Sequence, residues 1–192
     1  MKECIDAEVK AQVARLKLPT GFYDHLLAED DWSFVIKLNA LVEAACTDAL
    51  TARFHSPQLS KALSTLELGH PKHGKVALLS ALNAIVPEQA GVLRLLLELR
   101  NMLAHNIGQV NFTFESYIAG MDKNQRNLFV TRAGHGIKPE VAGQSRHDFT
   151  LQYPKQALWL TMSEVLACLH LEHEVAANHL QILALDALIG KN

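Results

Sequence analysis

The chain is short of the features that would place it in a specialised class. It has three cysteines, Cys4, Cys46 and Cys168, far apart and without CxxC spacing. So sparse and odd a set excludes a disulfide framework and suits reduced thiols in a cytoplasmic protein. No apolar run approaches the roughly 18 residues of a membrane span, so no transmembrane helix and no membrane partner are expected. The opening MKECIDAEVK is charged from its second residue and lacks the apolar stretch of a secretory signal. There is no internal repeat and no low-complexity tract. Charge of one sign is lacking too: 18 Lys and Arg face 20 Asp and Glu, a net −2. That balance excludes a uniformly basic nucleic-acid binder but leaves room for a local basic surface.

What the chain does have is apolar content and helical periodicity. With 192 residues, 49% of them hydrophobic, it is expected to form a single helical domain over 1–192 with a sizeable core. Charge is unevenly spread. Residues 51–154 carry eleven Lys and Arg against seven Asp and Glu, and the flanks carry seven against thirteen. Candidate helices run over 3–16, 32–54, 57–66, 75–85, 87–105 and from Pro154 to about Leu188. Ser56-Pro57 and Pro87-Glu88 have the residue types of helix starts. Between 106 and 153 the text reads as an irregular insertion. Val110–Phe114 alternates like a strand, with Phe149–Leu151 as its expected partner in a small β-hairpin.

The helix over 87–105 is unusual. Val92, Leu95, Leu96, Leu99, Met102 and Leu103 form a wide apolar face, so the helix must be largely surrounded. Arg94, Glu98, Asn101 and His105 form a narrow polar stripe opposite, with Arg94 and Glu98 spaced as an i,i+4 pair. Arg100 lies off that stripe, between Leu93, Leu97 and Ala104, where a guanidinium must reach out to solvent or meet an acceptor. His105 sits where the helix should end, against unpaired carbonyls. On a straight helix Arg100 and His105 point about 140° apart. Convergence would call for a break near His105 or a second copy of the helix across a two-fold axis.

The run Arg100-Asn101-Met102-Leu103-Ala104-His105 resembles the signature of the HEPN superfamily: an arginine, a polar residue, then a histidine after a short gap. The surrounding LLLELRNMLAHN looks like the motif helix of bacterial HEPN-like proteins, including relatives of the mannitol operon repressor. The resemblance covers 30–105 and 154–188; the insertion at 106–153 is not part of the minimal family pattern. It implies an all-α, HEPN-like up-and-down helical bundle. It also implies a homodimer that cuts single-stranded RNA without a metal or other cofactor. In that reading His105 moves a proton at the ribose 2′-hydroxyl or leaving oxygen, Arg100 holds the phosphate, and Asn101 orients one of them.

Other signals are weaker. Gly69–Val76 nearly matches the phosphate-binding GxxxxGK[ST], but Val76 lacks the hydroxyl and no strand precedes it. The loop still offers Lys72 and Lys75, with His70 and His73, to a polyanion at a helix start. In the insertion, Lys123, Arg126, Arg132, Lys138 and Arg146 form a basic series; Arg126 and Arg132 join Lys72 and Lys75 as expected substrate contacts. Cys168, His170, His173, Glu174 and His179 crowd the last helix without a metal-binding spacing, so no metal is expected. Trp32 and Trp159 read as core or interface residues.

Three functions follow. The first is a homodimeric endoribonuclease, a toxin or defence component with an antitoxin partner. The second is a non-catalytic regulator acting through a protein partner, with Arg100 buried against an acid of its own chain; Asp24, Asp30, Asp31 and Glu43 are available. The third is an unrelated helical scaffold.

Overall fold

A computed structural model describes residues 21–189 apart from Ala142, together with Ala14, Leu18 and Pro19. The expected helix over 3–16 lies outside the described residues. Three long helices make the frame: α2 (Asp31–Arg53), α5 (Pro87–Ala104) and α9 (Pro154–Ile189). Shorter ones, α1 (Phe22–Ala28), α3 (Ser60–Ser64) and α4 (Lys75–Ala81), pack around α2.

Local chemistry sets the starts. Asp30 caps α2 by accepting the Ser33 N–H at 2.9 Å and the Ser33 hydroxyl at 2.6 Å. Ion pairs set the directions. Lys155 meets Asp31 at 3.3 Å and His173 meets Asp48 at 3.1 Å, so α2 and α9 run parallel. At the start of α5, Gln89 Nε2 donates to Cys168 Sγ at 3.2 Å. Beyond its end the chain returns to α2, where the Phe114 N–H donates to Asp31 Oδ2 at 2.9 Å. Thus α5 runs opposite to both neighbours. Its face of Val92, Leu93, Leu96, Leu99 and Leu103 is buried, as the apolar spacing predicts. Trp159 packs against the core and touches Tyr23, and Trp32 is also partly buried.

The fold is an all-α bundle with a small β-hairpin inside residues 106–153, as expected, but the hairpin lies elsewhere within that span. β1 (Glu140–Val141) pairs antiparallel with β2 (Gln144–Ser145), Glu140 opposite Ser145, around Gly143 at φ +74. Neither predicted strand forms: Val110–Phe114 leads into one helix and Phe149–Leu151 lies inside another. Thr113 caps α6 (Phe114–Ala119) by accepting the Ser116 N–H, and Ser145 caps α8 (Arg146–Gln152) through the Asp148 N–H. Phe112 and Phe114 alternate because both are buried on the way into α6.

Nor is the insertion irregular. α7 (Lys123–Ala133) lies against α5 and α8, burying Phe129 and Ala133. The Thr161 hydroxyl donates to Ala133 O at 2.6 Å and accepts the Gly136 N–H at 3.2 Å, which ties α7 to α9. Among the described residues no helix is long and apolar enough to cross a membrane.

Candidate active site

The motif sits on the last turns of α5. Pro87 occupies the first helical position, where its missing N–H costs nothing, and the Gln89 side chain accepts the Val86 N–H at 3.1 Å. From that fixed start the helix runs without a break to His105, whose N–H reaches Asn101 O at 3.2 Å. His105 is the cap residue and is exposed. Arg100 is half-buried, and its Nη1 donates to Asn101 Oδ1 at 2.8 Å. The guanidinium therefore finds an acceptor on its own neighbour. Glu98 does not pair with Arg94: it meets Arg132 of α7 at 3.0 Å.

Arg100, Asn101 and His105 border one cavity of about 530 Å³, closed on the other side by Glu43 of α2 and by the segment from Ser64 to Pro71. Both reach this cavity without a break in the helix: the Arg100 guanidinium leans onto Asn101, and His105 stands where the helix stops. None of Asp24, Asp30, Asp31 and Glu43 pairs with Arg100 among the described residues; Asp30 caps α2, Asp31 holds Lys155, and Glu43 holds Lys75.

Lys75 corrects the sequence reading. It is buried, with Nζ 2.9 Å from Glu43 Oε1 and 3.3 Å from Ser64 O, so it cannot meet a substrate from solvent. The loop before it is no phosphate cradle either. The Gly74 N–H donates to His70 O, Lys75 N–H to Glu67 O and Val76 N–H to Leu68 O, at 2.9, 3.0 and 3.0 Å. His70 Nδ1 accepts from the Lys72 and His73 N–H groups. The amides of Lys72, His73, Gly74, Lys75 and Val76 are thus engaged within the chain. Gly74 is required, because a Cβ there would lie 2.4 Å from His70 N and 2.6 Å from His70 O. The His70 and His73 rings stack at 3.4 Å, and His70 borders the cavity, whereas Lys72 is exposed on the loop and is not in its wall.

Arg126 and Arg132 lie apart from the motif residues. Arg126 Nε and Nη2 donate to Ile118 O and Ala119 O at 3.2 and 3.3 Å, closing the end of α6, and Arg132 is engaged by Glu98. Neither lies in the wall of the motif cavity. Two histidines of α9 turn inward, His170 buried and His173 facing Asp48, while His179 is exposed. Among the described residues, no three of His, Cys, Asp and Glu gather as a metal site would need.

Glu43, expected as an acid for Arg100, and His70, expected to face a polyanion, both line the cavity, and so does Glu67, for which no role was read from sequence. One signal for Glu43 was present: it is the only charged residue between Lys37 and Asp48, inside an otherwise apolar helix. Burial of the Cys46 thiol, one turn on, pushes its pKa up to about 12, so it is not a nucleophile for this site. Compared with protein families, curated proteins and solved structures, the chain matches none.

Proposed function

We propose that the cavity is the active site of a HEPN-type, metal-independent endoribonuclease acting on single-stranded RNA in the cytoplasm as a homodimer. The observation that carries this reading is the placement of Arg100, Asn101 and His105 around one cavity, with no ion pair between the guanidinium and a carboxylate among the described residues, although Glu43 and Glu67 line the same cavity. His105, exposed at the rim, takes the proton of a ribose 2′-hydroxyl as that oxygen attacks phosphorus. Arg100 holds the phosphate oxygens, and its remaining donors match the charge that builds there. Asn101 fixes the guanidinium through its Oδ1. The 5′-oxygen leaves and is protonated, giving a 2′,3′-cyclic phosphate and a free 5′-hydroxyl. A second copy would bring a second Arg100–His105 pair and wall off the rim. A non-catalytic regulator would hold Arg100 against an acid of its own chain; that no such pair occurs among the described residues favours catalysis.

The test is incubation of the purified chain with single-stranded RNA in EDTA. Wild type should cut, Arg100→Ala and His105→Ala should not, and light scattering should give twice the mass of one chain. Intact RNA with wild type across varied sequences would sink the proposal.

A further inference from the structure

A second cavity, of about 520 Å³, lies on the other side of the motif helix. Leu95, Glu98 and Met102 give it one wall, at helical spacing along α5. Phe112, Met121, Leu128 and Phe129 of the insertion supply its other large apolar side chains, among polar ones. The aromatic and methionine side chains adapt to a flexible or flat apolar body. The volume falls in the usual range of small-molecule pockets, roughly 300–1,000 Å³.

The polar groups at this cavity are not evenly matched. Gln125 Oε1 already accepts the Asp122 N–H at 2.8 Å, which leaves its amide N–H groups free. Arg132 spends Nη1 on Glu98, at 3.0 and 3.3 Å to its two oxygens, and keeps Nε and Nη2. The half-buried Tyr117 hydroxyl has no hydrogen-bond partner among the described residues. Burial first and Glu98 second push its pKa up, so the phenol keeps its proton as a donor. The unused donors on Tyr117, Gln125 and Arg132, a guanidinium among them, come from α6 and α7, whereas Gln109 and Asn111 line the cavity from the chain after α5. Those donors call for an acceptor-rich, negatively charged head.

We propose that this cavity binds a small monocarboxylate with an apolar chain or ring, its carboxylate on Arg132, Tyr117 and Gln125 and its body between Met102, Met121 and Phe129. The site is distinct from the motif cavity and does not depend on the function assigned there. It shares a wall with it all the same: Met102 lies within the motif, and Gly108 and Gln109, directly after His105, also line this pocket. A bound ligand braces the turn on which His105 stands.

The test is isothermal titration of the full chain with decanoate and with 2-naphthoate, using decan-1-ol as the neutral control. Decanoate tests the chain form of the ligand and naphthoate the ring form. At least one carboxylate should bind saturably at one site per chain, and about tenfold tighter than the alcohol. Arg132→Gln should weaken that binding by about tenfold while leaving the alcohol unchanged. Leu128→Trp, at a half-exposed rim position, should block it. Val175→Ser, on an exposed apolar position of α9, should leave it intact. Ligand should also slow amide exchange over residues 108–113. Two results would overturn the proposal: carboxylates binding no tighter than the alcohol, or binding that ignores Arg132→Gln and Leu128→Trp in variants whose circular dichroism is native.

Discussion

Lys75 Nζ lies 2.9 Å from Glu43 Oε1, with 1% of the lysine side chain exposed but 32% of the glutamate. The two partners of this ion pair thus differ in what each can do alone. Without Lys75, Glu43 can hydrate through the cavity it lines. Without Glu43, Lys75 keeps only the Ser64 carbonyl in a closed interior. Glu43→Ala should therefore cost about 3–5 kcal/mol, and Lys75→Met, which keeps the apolar stem, only about 1 kcal/mol. Urea denaturation of both variants measures the difference; equal costs, or the reverse order, would show that the lysine is hydrated in a way the geometry does not provide.

Gly69 and Gly74 bracket the loop that closes the same cavity, and a methyl group meets different obstacles at each. At Gly69 it would strike Leu97 Cδ2, the end of a side chain that can rotate; at Gly74 it meets three backbone atoms within 3.0 Å. Gly74→Ala should lower stability by about 2 kcal/mol or more and Gly69→Ala by well under half of that. Thermal unfolding of the two variants decides it.

The Cys46 thiol gives the chain a pH dependence of known sign. Its ordinary value is 9.0, and burial raises it to about 12 in the folded state. Between those values the unfolded chain has lost the proton while the folded chain still holds it, so stability falls as pH rises from about 9 to 12. The slope from this group is at most about 1.4 kcal/mol per pH unit. Cys168 is raised in the same direction, by burial first. In Cys46→Ala the decline over that range should be shallower than in wild type, read from urea midpoints; superimposable slopes would contradict it. Iodoacetamide should likewise leave Cys46 unmodified until the protein unfolds.

How much of this could be read from residues alone depended on the range of the interaction. Helices α2, α5 and α9 were legible from their apolar content, with Pro87 and Pro154 marking two of the starts. The hairpin was misplaced because Val110–Phe114 has a strand's alternation, yet Thr113 takes the Ser116 N–H and Asp31 the Phe114 N–H to begin a helix. Lys75 and Arg132 looked like free cations because their partners, Glu43 and Glu98, lie 32 and 34 residues away. Arg126 is engaged by carbonyls seven and eight residues earlier, which no charge count registers. Arg100, by contrast, stood out in sequence as a cation on an apolar shoulder, and its acceptor is the side-chain amide of the next residue, Asn101.

The central claim is that Arg100 and His105 act together on a phosphodiester through the ribose 2′-hydroxyl. The most direct measurement uses one oligonucleotide sequence in three forms: RNA, DNA, and RNA with a single 2′-deoxy sugar at the mapped cut. In EDTA, wild type should convert the RNA to fragments ending in 2′,3′-cyclic phosphate, leave the DNA whole, and skip the deoxy position. Arg100→Ala and His105→Ala should leave all three intact. Uncut RNA with wild type, cleavage at the deoxy position, or undiminished cleavage by either variant would contradict the account.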